Sequence, residues 1–280
     1  MVHYHDCIIE IGIVKIHLPD ANNPCFMIAQ SLGEEFGLET NYEAEEKLRN
    51  TLKTKDKNIL KKVNIDAEGG CIFINANSKQ GNSILEVAII INQLATQPFR
   101  EDLTFEYIEE ARKILTTWKR PKPQKWQEGD IFSIPLSDMS FGYGQVLWHQ
   151  NKKSSATCAI FDCHSNEFKP IDEVVQSKVI SVITIKNLFD LNSAKWKVIG
   201  NCSKVIEKSI VPWEHSGDAA VGSKIYQDST LTDFVEAYFG IKPWNHLQFK
   251  DTFMDTLLLP GVVRPNNAIL LTKEQKKLNR

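Results

Sequence analysis

Apolar and polar positions alternate with a period of two in two runs that flank a short polar break. In the first, Phe132, Ile134 and Leu136 follow a Gly129-Asp130 turn and fall on one face of a strand. Pro135 interrupts the ladder, and Ser137-Asp138-Met139-Ser140 reads as a hairpin connection. Phe141, Tyr143, Gln145 and Leu147 then resume the alternation, with Gly142 and Gly144 on the opposite face, where a missing side chain lets another backbone come close. Further strands are expected over residues 157–162, 179–185 and 196–199. One helix is marked by a Thr230-to-Asp233 capping pattern, by Leu231, Phe234, Val235, Tyr238 and Phe239 at helical spacing, and by a stop at Gly240.

Before this region the periodicity is mixed. Residues 8–18 read as a strand, and residues 29–36 as a short helix stopped by Gly37. Residues 42–54 read as a helix that lines Ala44, Leu48 and Leu52 on one face and pairs Glu43 with Lys47 and Glu45 with Arg49 at i,i+4. Gly69-Gly70 introduces a strand over 71–75, and Ser83 to Glu86 has capping-box spacing. The helix that follows is apolar nearly all round through Ile84, Leu85, Val87, Ile89, Ile90, Ile91 and Leu94, which makes it the expected core of the first domain. A last helix over 105–118 stripes Ile108, Ala111, Leu115 and Trp118. The Pro121 and Pro123 pair among basic residues favours an extended connector. The fold class expected is α+β, with an N-terminal α+β domain over 1–118, a linker over 119–125, and a β-rich domain over 126–280 built as a curled antiparallel sheet or small open barrel with one helix.

A length of 280 residues agrees with two domains, and an apolar fraction of 42% suffices for two cores. No run reaches the ~18 uninterrupted apolar residues of a membrane span. The first residues lack a basic flank and Glu10 breaks the apolar run 7–14, so no signal peptide and a cytoplasmic location are expected. The six cysteines, at 7, 25, 71, 158, 163 and 202, form no Cys-x-x-Cys pair and are expected as small buried hydrophobes. A formal charge of −2 gives no electrostatic case for direct nucleic-acid binding.

No phosphate-binding loop, dinucleotide fingerprint, His-Glu-x-x-His helix or nucleophile elbow occurs in the chain. Cys158 and Cys163-His164 come nearest to a site, with Cys202 or His149 as completions of a zinc set. The simpler reading places Cys158 in the core and Cys163 and His164 in the turn that follows; His3 and His5 lack further ligands, and neither metal nor cofactor is expected. Glu34, Glu35, Glu39, Glu43, Glu45 and Glu46 put six carboxylates before the first balancing charge at Lys47. They read either as a solvated helix surface or as a contact face for a basic partner. Asp66 and Glu68 beside Gly69-Gly70 have the same two readings. Trp126, Trp148, Trp196, Trp213 and Trp244 follow the linker, most of them expected in a core and one or two as partner anchors.

The Gly129-Asp130-x-Phe132-x-Ile134-Pro135-Leu136 strand and the glycine-punctuated aromatic strand after it resemble the opening of the immunity protein 26 family of bacterial polymorphic-toxin systems. Trp196-Lys-Val198-Ile199-Gly200-Asn resembles its middle motif, and the run from Asp251 through Phe253, Asp255 and Leu257 to Pro260 resembles its ending, so the likeness covers about residues 126–265. Residues 64–73, ahead of an apolar helix, are similar to the immunity protein 51 family over about 40–95. The first resemblance implies a non-catalytic inhibitor of contact-dependent bacterial competition. Its partner would be the C-terminal domain of a cognate toxin whose active site it covers, and the expected absence of a signal peptide points to a toxin that acts in the cytosol, with a nuclease as the expected class. Glu34, Glu35, Glu39, Glu43, Glu45, Glu46, Phe141, Tyr143 and Trp244 are then the expected toxin contacts, while Gly129, Asp130, Pro135, Gly142 and Gly144 serve the fold. The residues alone leave two alternatives, an RNA- or peptide-binding β module and a cysteine-dependent hydrolase that would need Cys163 with a depressed pKa.

Overall fold

The structure, a computed structural model, describes residues 4–5, 7–96, 103–151, 155–206, 225–246 and 252–278. The chain divides into two compact units, Met1–Lys122 and Pro123–Arg280. The two contain one six-stranded sheet each, with helices, and neither sheet closes into a barrel among the described residues.

The first unit runs β1 (Tyr4–His5), β2 (Ile8–Ile11), β3 (Val14–His17), β4 (Cys25–Gln30), α1 (Asn41–Lys55), β5 (Val63–Glu68), β6 (Cys71–Asn77), α2 (Gly81–Leu94) and α3 (Phe105–Thr117). Its sheet is antiparallel in the order β1-β2-β3-β4-β6-β5. The single strand expected over 8–18 is instead the β2–β3 hairpin, because Gly12 at φ 63° reverses the chain while the buried alternation of Ile9, Ile11, Val14 and Ile16 continues through the turn. Asn92 of α2 holds that turn: its Oδ1 accepts from Ile13 N at 3.0 Å and its Nδ2 donates to Ile11 O at 2.9 Å. The helix expected over 29–36 is also corrected. Phe26 and Ile28 bury at strand spacing, β4 extends to Gln30, and only Glu34–Phe36 form a 3-10 turn, closed by Gly37 at φ 66°.

Helix α1 has a capping box that the sequence reading did not name, in which Thr40 Oγ1 accepts from Glu43 N at 3.2 Å and the Glu43 carboxylate accepts from Thr40 N at 3.1 Å. Ala44, Leu48 and Leu52 are buried as expected. The box expected at Ser83 does not form. Helix α2 starts two residues earlier, and Ser83 Oγ instead donates to Gln80 Oε1 at 3.2 Å. Gly81 is required there because a Cβ would overlap the carbonyl of Leu115 in α3.

Strand β5 alternates buried Val63, Ile65 and Ala67 with exposed Asn64, Asp66 and Glu68, and it forms one edge of the sheet. Its outward backbone groups are covered by α1: Glu45 Oε2 accepts from Ala67 N at 2.9 Å and Arg49 donates to Ile65 O. The two side chains are joined to each other at 2.6 Å. This pair occupies the hydrogen-bonding positions that a further strand would use, the standard hazard of an open edge. The double variant Glu45→Ala/Arg49→Ala should lose about 1–2 kcal/mol of stability and self-associate with rising concentration more than the wild type in analytical ultracentrifugation. An unchanged sedimentation profile would refute the edge-covering role.

The second unit runs β7 (Asp130–Pro135), β8 (Phe141–Asn151), β9 (Ser155–Phe161), α4 (Ile171–Gln176), β10 (Val179–Lys186), α5 (Phe189–Asn192), β11 (Lys197–Asn201), β12 (Ile225–Tyr226), α6 (Asp228–Tyr238) and α7 (Lys273–Leu278). The sheet order is β11-β7-β8-β9-β10-β12. The expected antiparallel sheet is corrected at one edge, since β12 pairs with β10 in parallel. Strands β7, β8 and β9 are buried on both faces. Phe132, Ile134, Val146, Cys158 and Ile160 pack with Leu231, Phe234 and Val235 of α6 and with Trp196 and Trp244. On the reverse face Ile131, Tyr143 and Phe161 pack with Val174 of α4.

Helix α6 begins at Asp228, two residues before the capping pattern expected at Thr230, and Gly240 at φ 76° follows its end. Gly142 makes room for a side chain and not, as expected, for a backbone, whereas Gly144 makes room for both a side chain and a neighbouring backbone carbonyl. A Cβ on Gly142 would lie 2.5 Å from Val235 Cγ1, and one on Gly144 would lie 2.5 Å from Phe132 Cζ and 3.0 Å from Ala159 O. Gly144→Val should therefore cost about 1–3 kcal/mol through overpacking, read as a lower midpoint in thermal or urea unfolding. An unaltered midpoint would show that the Phe132 ring can yield.

Candidate functional site

Three segments of the first unit meet at Asn41. Its Oδ1 accepts from Leu32 N at 2.8 Å and Gly33 N at 3.0 Å, and its Nδ2 donates to Gly69 O at 3.3 Å. The 3-10 turn carrying Glu34 and Glu35, the start of α1, and the Gly69-Gly70 turn beside Glu68 are thereby held together. The six glutamates expected to act alike have different surroundings. Glu34, Glu39 and Glu46 are exposed, and Glu35 is half-buried. Glu43 is exposed but forms the capping box, and Glu45 covers the β5 edge. The expected Glu43/Lys47 pair is corrected, because Lys47 turns to the Phe36 carbonyl at 3.5 Å and lies 5.6 Å from the centre of that ring. Tyr42, 62% exposed, adds an aromatic side chain to this acidic face, between Glu39 and Glu46 in the sequence.

In the second unit Tyr143 and Trp244 are interior residues. The Tyr143 hydroxyl is shared among Ser165 Oγ at 2.8 Å, Glu167 O at 3.1 Å and Lys169 N at 2.9 Å, so it anchors the loop after β9. Trp244 Nε1 donates to Asp255 Oδ1 at 3.1 Å, and the Arg264 guanidinium lies 5.6 Å from the ring centre. Both are buried and present no surface to a partner. Phe141 is half-buried against Phe168, with ring centres 4.6 Å apart. Gly129, at φ 87°, would place a Cβ 2.6 Å from Cys202 O. Next to it, the Asp130 carboxylate accepts from Gln127 N at 2.8 Å and Asn201 Nδ2 at 2.7 Å. Pro135 ends β7 opposite Phe141. Of the other residues singled out, His3, Trp213 and Asp251 lie outside the described residues.

The thiols have the wrong electrostatics for a nucleophile. Burial raises the pKa of Cys158, which has no exposure, and also raises that of Cys163, whose hydrogen bond with Ser177 does not offset it. Cys202 is raised in the same way. His164 does not pair with its neighbour Cys163. Its Nε2 meets Ser140 Oγ at 2.6 Å and its ring stacks on Phe239, with centroids 4.7 Å apart. Ser140, His164 and Asp138 share residue types with a hydrolytic triad but differ from it in geometry. Asp138 accepts the Ser140 hydroxyl and stands 3.9 Å from the same Nε2, whereas a triad carboxylate holds the other ring nitrogen. Ser140 is also buried. The three form a clasp over the β7–β8 connection.

A second clasp reaches the same connection from α6. Glu236 is buried, its Oε1 accepts from Ser137 N at 2.7 Å, and its other oxygen pairs with Lys242. Lys242 also lies 2.8 Å from Asp233, which in turn is 3.6 Å from His246 Nε2. Burial opposes the Glu236 charge, yet the Lys242 and Ser137 hydrogen bonds outweigh it and hold the carboxyl below its usual range. Sequence reasoning missed both clasps because the bonds that tie them to the β7–β8 connection span 24 and 99 positions and match no motif. The raised thiol pKa gives a direct test: at pH 8 a smaller fraction of Cys163 than of a free cysteine is thiolate, so its alkylation by iodoacetamide, followed by peptide mass mapping, should lag behind that of glutathione. Faster labelling of Cys163 would restore the case for a reactive thiol.

Among the described residues no His, Cys, Asp and Glu side chains group as a metal site, and no helix is long and apolar enough to cross a membrane. No curated protein and no solved structure matches the chain. Residues 127–225 match the family model of Immunity protein 26, a span that includes the opening and middle motifs and ends before the segment at 251–260. A match to that family implies an immunity protein whose partner is a toxin, and it is the second unit of this chain that carries the Immunity protein 26 likeness.

Proposed function

We propose that the protein is a non-catalytic, cytoplasmic inhibitor that binds the C-terminal domain of a cognate toxin, a nuclease, and covers its active site. The observation that carries this reading is the family match over 127–225. The raised thiol pKa values and the non-triad geometry at Ser140 support the absence of catalysis. The exposed carboxylates of Glu34, Glu39 and Glu46, with Tyr42 among them, supply a face suited to a basic nuclease. Opposite potentials raise the encounter rate and occupy cationic groups that would otherwise hold phosphate. A stable inhibitory interface buries about 1,600 Å² in total, and a small set of residues dominates its energy.

The charge reversal Glu34→Lys/Glu39→Lys/Glu46→Lys spares Glu43 and Glu45, which have structural partners, and should leave the melting curve nearly unchanged. Against the cognate toxin domain, stopped-flow association at low salt should slow by about tenfold or more, and its dependence on ionic strength should flatten. An on-rate equal to the wild type at low salt would remove this face from the interface. Failure of the wild-type chain to bind or neutralise that domain would overturn the function.

A further inference from the structure

The tip of the β7–β8 connection presents a large apolar side chain in a conformation that opposes it. Met139 is 87% exposed and has φ 69°, the left-handed region that non-glycine residues occupy at a cost. The turn is fixed from several sides. Met139 N donates to Leu136 O at 3.1 Å, Leu136 N donates to Ser140 O at 2.9 Å, and Ser137 N donates to Glu236. Ser140 is held between Asp138 and His164. This arrangement spends stability to hold a methionine in water, and glycine at the same position would relieve the backbone and bury no less.

The surroundings of the tip indicate what it meets. The His164 ring stacks on Phe239, Phe239 contacts Tyr238 edge-on at 5.3 Å, and the Tyr238 hydroxyl donates to Asp162 Oδ2 at 3.2 Å. Asp138 and Asp162, both exposed, therefore flank an aromatic rim. Hydrogen bonds from Ser140, together with the nearby His164 ring, keep the Asp138 carboxyl below its usual range and therefore charged. An exposed apolar tip beside the charged Asp138, with Asp162 at the far end of the aromatic rim, is complementary to a shallow apolar pocket bordered by lysine or arginine.

We infer that Met139 is a preorganised anchor that inserts into an apolar pocket on a basic face of the toxin domain, with Asp138 and Asp162 meeting cations at the pocket rim. This rests on the proposed immunity function and adds a second contact surface, in the unit that carries the family match. Preorganisation reduces the ordering cost of binding, and a desolvated central side chain is the usual form of a hot spot.

The test compares full-length wild type with Met139→Gly and Met139→Leu, by calorimetric titration with the cognate toxin domain. Met139→Gly should melt at or above the wild-type temperature and yet bind at least about tenfold more weakly. Met139→Leu, which keeps the apolar bulk, should retain most of the affinity. Asp138→Asn/Asp162→Asn should slow association at low salt. Equal affinity of Met139→Gly and wild type would overturn the anchor while leaving the immunity function standing. If the wild type binds no toxin, both fall. If Met139→Gly instead dissolves a wild-type dimer seen by size exclusion and binds toxin normally, the tip is a self-association contact and the inference is wrong.

Discussion

Val235 of α6 sits where the Cβ of any residue larger than glycine at position 142 would have to lie. The second unit depends on that one close approach. It seats α6 against β8, which brings Glu236 within 2.7 Å of the Ser137 amide and places Phe239 under the His164 ring. Both clasps on the β7–β8 connection then follow from the position of a single helix. The buried Glu236 charge is tolerable only because Lys242 and a backbone N–H meet it there, since an unpaired carboxylate at that depth would be strongly destabilising. Removal of the glycine would thus disturb packing, an ion network and the hairpin tip together.

The first unit is organised by polar side chains within an apolar core. Asn92 and Asn41 are both buried, and each satisfies backbone groups of segments distant in sequence. An amide carries donors and an acceptor on one short stem, so one side chain can close two turns that would otherwise leave buried N–H groups unpaired. Alanine at either position would fill the space only in part and strand the backbone groups it now serves.

The elements with sustained periodicity were legible in the sequence. Helix α1 with Ala44, Leu48 and Leu52, the apolar α2, and the Phe132 and Ile134 face of β7, continued by Leu136, follow from spacing alone. Errors arose where one residue changed the meaning of a pattern. Gly12 turned an unbroken alternation into a hairpin, and the strand spacing of Phe26 and Ile28 extended β4 into a stretch read as helix. Alternation also misled about exposure. Tyr143 falls at the expected period, but the sheet is covered on both faces, so the period that gives sidedness in an open sheet gives none here. The acidic run shows the same limit for charge. Six glutamates of one type separate into a cap at Glu43, an edge cover at Glu45, the half-buried Glu35 and three exposed carboxylates, a division fixed by Thr40 and by the outward N–H of Ala67.

The two surfaces that remain after this sorting would contribute to binding in different ways. Exposed glutamates are mobile, hydrated and screened within about 8 Å at physiological salt, so they act mainly on the rate of encounter. The backbone at Met139 is held by hydrogen bonds on both sides of the turn, and its side chain carries no charge and acts only at contact, where its burial would lengthen the life of the complex. An inhibitor of a lethal enzyme needs both properties, because capture must outrun the first turnover and release must be slower than the lifetime of the cell. A charged face alone would give fast but salt-sensitive capture, and an apolar tip alone would give slow capture with long residence. The steering carboxylates lie on a 3-10 turn, on the segment before α1 and on α1, and the anchor lies on a clasped hairpin, in keeping with what each must do: steering tolerates freedom, whereas an anchor gains from a backbone already held in place.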